Sequence, residues 1–312
     1  MAVIYELRHP TKWYGKLVTA TFALAIFVLL GAVTISSFLL YHIVLPPHAR
    51  SDINAKDLPG HPDVILFDVP GVGIREGWLF PGLRRAPTVV LCHGYQSQRG
   101  ELLTMIPALQ EHGYNVLVFD FAAHGVSPGV STFGYREATE VRAAIAAVAR
   151  RDDVDRGRFG LWGANLGGYA AIAAAEADPR VRAVVVDSVY NQPADMVALQ
   201  VERSGLAGLP LIKRLARRGF LWLNRGYRHE PPLSQGLARL AGVSKLYISA
   251  GDDPELARST RELFLRSPEP REQTILAKGD YAGMMDDEKR SYENRTVSFF
   301  LLNLPISGSP GR

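Results

Sequence analysis

The residues best suited to chemistry in this chain stand where apolar runs end. Leu161-Trp162-Gly163-Ala164-Asn165-Leu166-Gly167-Gly168-Tyr169 closes one such run and opens an alanine-rich helical pattern, so it reads as strand, sharp turn and helix with Asn165 at the tip. A carboxamide there accepts and donates hydrogen bonds but neither ionises nor attacks near neutral pH. His93-Gly94-Tyr95 ends a second run, Asp120 a third, and Gly251-Asp252-Asp253-Pro254 a fourth. The last run leads into Gly279-Asp280-Tyr281-Ala282-Gly283, whose phenol, with an ordinary pKa of about 10, is a poor base at neutral pH. Cys92 is the only cysteine, which excludes an internal disulfide and a thiolate metal cluster; set inside an apolar strand, it reads as a buried, inert thiol. No spacing of histidines and carboxylates suggests metal ligands, and no glycine loop suggests a phosphate site, so neither a metal nor a cofactor is expected.

These groups need elements to hold them. Residues 64–69 and 72–80, joined at Gly71, read as an antiparallel hairpin. Further strands are expected at 87–92, 115–121, 158–162, 181–186, 245–250 and 273–277, with helical patterns at 102–111, 135–151, 166–177, 254–266 and 288–302. Strands alternating with helices imply right-handed crossovers and a mostly parallel α/β sheet. Residues 190–243 interrupt the alternation. Within them, 209–225 forms a helical pattern with Lys213, Arg214, Arg217, Arg218 and Arg225 on one side and Leu211, Ile212, Leu215, Trp222 and Leu223 on the other. It reads either as a cap helix with a solvated basic face or as an amphipathic helix lying on anionic lipid.

From Leu17 to Leu45 there is no Asp, Glu, Lys or Arg. At about 1.5 Å per residue such a helix crosses a hydrocarbon layer of about 30 Å. The segment is too long for a signal-peptide core and lacks a small-residue cleavage site, so a retained single span is expected. Arg8, Lys12 and Lys16 before it, against Arg50 and Lys56 after it, favour a cytoplasmic N-terminus and an extracytoplasmic folded domain. The expected organisation is a tail at 1–16, an anchor at 17–45, a linker at 46–62 and one folded domain at 63–312 carrying the insert. With a net charge of +4 across 312 residues, the chain lacks the basic footprint of a nucleic-acid binder.

Several of these stretches, in this order, resemble the α/β-hydrolase superfamily over about residues 64–303, most closely its bacterial serine esterase and serine aminopeptidase-like branch. Gly163-Ala164-Asn165-Leu166-Gly167 resembles the Gly-x-Ser-x-Gly nucleophile elbow with Asn165 in place of the serine. His93-Gly94-Tyr95 resembles the His-Gly-x phrase after the third strand, and Asp120 to Ser127 the loop Asp-x-Arg-Gly-His-Gly-x-Ser, with alanines for the arginine and the first glycine. The resemblance implies an α/β-hydrolase fold with a helical cap. It also implies an oxyanion hole built from the backbone N–H groups of Tyr95 and Leu166, an acid at Asp253 or Asp252, and Tyr281 where the catalytic imidazole belongs. Loss of the nucleophile or of the imidazole alone costs a serine protease about 10⁶ in kcat.

Three functions follow from that resemblance. One is a membrane-anchored, catalytically impaired relative whose site, floored by Asn165, the oxyanion N–H groups and Tyr281, binds a small carbonyl or carboxylate ligand or a partner. Another is an active esterase or peptidase with a non-standard arrangement, such as Asn165 deamidated to Asp or His124 or His229 serving as base. The third is a scaffold at the membrane. All three share the anchor, so the full-length chain is expected to stay in the membrane pellet after alkaline carbonate extraction; release into the supernatant would contradict a span.

Overall fold

The computed structural model describes residues 13–47, 53–279 and 281–306. Arg8, Lys12 and Arg50, which carry much of the orientation argument, lie outside the described residues, as does Asp280. Strands β1 (Asp63–Val69) and β2 (Gly73–Phe80) form the hairpin, and β2 pairs antiparallel with β4 (Asn115–Phe119). The remaining strands are β3 (Ala86–Cys92), β5 (Val154–Ala164), β6 (Val181–Asp187), β7 (Ser244–Ala250) and β8 (Arg271–Leu276). They run parallel to β4, and the sheet order is β1-β2-β4-β3-β5-β6-β7-β8. The chain moves from β3 outward to β4 and then returns to the other side of β3 as β5. That reversal opens a crevice beyond the carboxyl ends of β3 and β5, where doubly wound sheets place their sites.

The helices are α1 (Trp13–Val44), α2 (Met105–Gln110), α3 (Tyr135–Val148), α4 (Leu166–Ala177), α5 (Pro193–Val201), α6 (Pro210–Leu223), α7 (Leu233–Gly236), α8 (Pro254–Arg266) and α9 (Asp286–Asn303). The expected helix at 102–111 is shorter. Arg99–Leu102 forms a 3₁₀ turn and α2 starts at Met105, with Pro107 in its first turn, where a missing N–H costs no intrahelical bond. The strand expected at 115–121 stops at Phe119, since the Phe121 N–H leaves the ladder for the His93 ring at 3.0 Å.

By contacts the chain forms two compact units. The smaller comprises Met1–Ile43 and Val197–Arg225; the larger comprises Val44–Met196 and Gly226–Arg312 and contains the sheet. In the larger unit β3 is buried along its whole length, as expected of a central parallel strand covered on both faces. Alternate residues divide between the faces: Val89, Leu91, Trp162, Val185 and Ile248 pack with Leu109 of α2 and Phe299 and Phe300 of α9. In the smaller unit α1 has 32 residues, about 48 Å of helix, and is long and apolar enough to cross a membrane.

Two fully buried glutamates on α3 hold the loop that follows β4. Glu137 accepts from the N–H groups of Thr132 and Gly134 and from the hydroxyls of Ser131 and Thr132. Glu140 meets Arg75 Nε at 2.9 Å and the Ala122 N–H at 3.1 Å. Burial, with Glu137 nearby, lifts Glu140 to about 7 against the pull of Arg75. Removing one side of a buried pair strands the other, so Glu140→Ala is expected to cost about 3–5 kcal/mol in denaturant unfolding. Glu140→Gln, which keeps an acceptor for Arg75 and Ala122, is expected to cost clearly less; equal losses would show that packing alone matters there.

Candidate active site

The strand-to-helix turn after β5 places Asn165 at φ 37° and ψ −97°, a conformation that favours glycine and is held here by its surroundings. The Asn165 N–H donates to the Asp187 carbonyl at 2.8 Å, and its carbonyl accepts from the Tyr169 N–H at 2.9 Å, which starts α4. A Cβ at Gly167 would lie 2.1 Å from the Cys92 carbonyl oxygen, so only glycine lets the helix start sit against the end of β3. This close approach brings the backbone of Tyr95 next to the elbow.

The side chain of Asn165 is fixed by that juxtaposition. Its Oδ1 accepts from the Leu166 N–H at 2.6 Å and from the Tyr95 N–H at 2.7 Å. Both neighbours are donors, so the carbonyl end of the amide must face them. These are the two N–H groups that the resemblance assigns to the oxyanion hole. Asn165 fills it with its own oxygen. Gly94 makes room for the amide: a Cβ there would lie 2.9 Å from Asn165 Nδ2.

His93 supports the same corner from below. It is fully buried; its Nδ1 lies 2.8 Å from the Gly94 carbonyl and its Nε2 accepts from Phe121, so the ring is neutral with the proton on Nδ1. Burial lowers its pKa to about 4, partly offset by the Gly94 carbonyl. His124 bonds the Ala122 carbonyl at 2.9 Å and lies beside the rings of His93 and Tyr95. Among the described residues no imidazole hydrogen-bonds Asn165. His229 is exposed and accepts from Arg228. Cys92 is buried, and burial pushes its thiol well up, away from the reactive range.

The remaining expected site residues have structural partners. Asp253 caps α8, accepting from the Leu256 N–H at 3.1 Å ahead of Pro254, while Asp252 is exposed. Asp120 accepts from the Arg99 and Val126 N–H groups. Tyr281 does not join Asn165 in a polar floor. Its ring packs on Trp162 and Tyr292, and its hydroxyl donates to Glu293 Oε1 at 2.6 Å and meets Thr104 at 3.0 Å. Burial, with Glu293 beside it, raises its pKa and keeps the phenol protonated near neutral pH. Trp162 and Tyr292 bury its ring, and Glu293 and Thr104 satisfy its hydroxyl.

Sequence reasoning missed a buried carboxylate beside this corner. Asp187, fully buried at the end of β6, accepts from Tyr292 Oη at 3.0 Å and from Ser188 Oγ at 2.8 Å. Tyr292 in turn accepts from Trp162 Nε1 at 3.1 Å. A chain of hydrogen bonds from β5 through α9 to β6 thus lies beside the elbow. The available signal was an acid closing the buried run Val184-Val185-Val186.

The comparisons agree with the fold. The family model for the alpha/beta hydrolase fold matches residues 87–250. The chain belongs to the α/β-hydrolase family. An uncharacterized protein of Mycobacterium tuberculosis is 31% identical over 215 residues, covering 64% of this chain and 75% of its own. A polyketide transferase of Penicillium is 30% identical over 169 residues, 50% of this chain and 57% of its own. An esterase of Pyrococcus furiosus superposes with a TM-score of 0.65 at 21% identity, covering 84% of this chain and 98% of that one. The α/β hydrolase GrgF of Penicillium gives 0.60 at 21% identity, covering 79% and 99%. Such distant structures share the fold alone.

The neutral His93 ring gives this α/β hydrolase a testable acid sensitivity. Its pKa is lowered from 6.5 to about 4, so its contribution is complete above about pH 6.5 and is lost as pH falls towards 4. The difference is worth about 3 kcal/mol. Denaturant unfolding should show stability falling across that window, and the fall should shrink in His93→Gln. An unchanged pH profile in that variant would remove His93 as the cause.

Proposed function

We propose that this chain is a membrane-tethered α/β-hydrolase-family protein that does not hydrolyse esters or peptides by the family's nucleophilic route and serves instead as a binding protein. The observation that carries the reading is the double hydrogen bond from Tyr95 and Leu166 to Asn165 Oδ1. A tetrahedral oxyanion needs both donors, and here a substrate carbonyl meets them already satisfied by a group that cannot attack. Only a ligand with a stronger acceptor displaces the amide, which favours a carboxylate over an ester carbonyl. The absence of any imidazole on Asn165 among the described residues supports the same reading. α1 supplies the tether, and the charge bias of the sequence favours a cytoplasmic N-terminus with the sheet domain outside.

The test is a paired assay of p-nitrophenyl esters and aminoacyl substrates with the purified full chain, Asn165→Ser, Tyr281→His and the double variant. The native chain and Asn165→Ala are expected to match the buffer rate. Asn165→Ser vacates the oxyanion hole and should gain labelling by a fluorophosphonate, weakly alone and more when combined with Tyr281→His. Turnover by the native chain that Asn165→Ala abolishes would overturn the proposal, as would an intact-mass measurement showing Asp in place of Asn165 in a chain that turns over.

A further inference from the structure

Within the smaller unit, α6 is held against α1. Ser36 Oγ, buried on α1, donates to the Ile212 carbonyl of α6 at 3.1 Å as well as to the Ala32 carbonyl of its own helix at 2.7 Å. Four residues on, a Cβ at Gly219 would lie 3.0 Å from Leu40 Cδ2, so the helices approach through a glycine. A mid-helix glycine destabilises a helix relative to alanine, and close helix contact of this kind offsets that, as does a serine hydroxyl shared between helices.

The depth of that contact follows from length. A hydrocarbon layer of about 30 Å takes about 20 residues of helix. Counted from Lys16, the last charged residue before the span, this reaches Ser36. The turns of α1 that touch α6 therefore emerge at headgroup level, with Tyr41 and His42 beside them.

At about 100° per residue, the surface of α6 divides into three strips. Ile212, Ala216 and Phe220 form the buried strip. Next to Gly219, on the flank where α1 packs, come Leu211, Leu215 and Trp222; Leu211 is 44% and Trp222 66% exposed. Beyond them lie the exposed guanidinium groups of Arg214 and Arg218, while Arg225, past the helix end, stacks over the Trp222 ring at 5.3 Å. Lys213 is taken by Glu202 and does not contribute. An exposed apolar strip continuous with a spanning helix and bordered by arginines has the pattern of a helix lying in the membrane interface.

We infer that α6 is a second, interfacial membrane contact: Leu211, Leu215 and Trp222 enter the acyl boundary beside α1, and Arg214, Arg218 and Arg225 bind anionic phospholipid headgroups. This rests on α1 spanning the bilayer, which the experiment checks separately.

The test places a nitroxide spin label on single cysteines in the full chain, reconstituted in nanodiscs of phosphatidylcholine with or without phosphatidylglycerol. The native Cys92 is buried and does not compete for the label. Leu211→Cys and Trp222→Cys report on α6, Phe27→Cys on α1 and Lys56→Cys on the aqueous phase. With phosphatidylglycerol present, the ratio of oxygen to nickel-chelate collisions at 211 and 222 should be several-fold above that at 56. At 211 that ratio should drop in phosphatidylcholine alone and on combining Arg214→Gln, Arg218→Gln and Arg225→Gln. Lipid exposure at 27 with aqueous values at 211 and 222 would overturn the inference and leave the span intact. Aqueous values at 27 as well would sink both. Immersion that ignores lipid charge would overturn the headgroup assignment, and spin–spin broadening at 222 would reveal a second copy of the chain in place of lipid.

Discussion

Two backbone N–H groups that point at one spot are the constraint around which the catalytic corner is built. Tyr95 and Leu166 are brought together because β3 and β5 are neighbours with Cys92 beside Gly163, and because Gly94 and Gly167 let the loop and the helix start come close. Buried donors of this kind must be satisfied, and leaving one unmet costs about 1–3 kcal/mol. In an enzyme of this family water or substrate meets that need. Here the residue at the nucleophile position does so itself, at 2.6 and 2.7 Å. The interaction stabilises the elbow, and under the proposed reading it also takes the N–H pair out of catalysis.

The surrounding substitutions are consistent with that state. Under the proposed reading, an imidazole after β8 would have no hydroxyl proton to take. Tyr281 instead turns its ring onto Trp162 and its hydroxyl to Glu293 and Thr104. Asp253 keeps a task independent of catalysis as the cap of α8. Asp187 is tied to Tyr292 and Ser188. Asp187, Asp253 and the Tyr281 hydroxyl are thus each met by a local partner.

Much of the frame was legible in the sequence because it depends on local patterns. Residues 166–177 and 254–266 read as helices and are helices, one opened by a sharp glycine turn and the other by Asp253-Pro254. The mostly parallel sheet followed from the alternation of strands and helices, and the α/β-hydrolase fold from the family resemblance. What the sequence did not disclose were the choices made between distant segments. Nothing near Asn165 says that its Oδ1 turns back to the backbone, since Tyr95 lies 70 residues away. The Tyr292–Asp187 bond joins residues 105 apart, and the Ser36 bond to Ile212 spans 176. The basic helix had two readings because the pattern gives its faces without their neighbours; the contact with α1 supplies one of them.

The central claim is that the Asn165 amide oxygen occupies the pair of N–H groups formed by Tyr95 and Leu166. Nuclear magnetic resonance of the full chain in nanodiscs, labelled with ¹⁵N in Tyr and Leu and ¹³C in Asn, can measure the coupling across each hydrogen bond from the amide nitrogen to Asn165 Cγ. Couplings from both Tyr95 and Leu166, lost together in Asn165→Ala with upfield shifts of both amide protons, are the predicted result. No coupling from either, and amide shifts indifferent to that substitution, would show the pair open to a substrate and contradict the account.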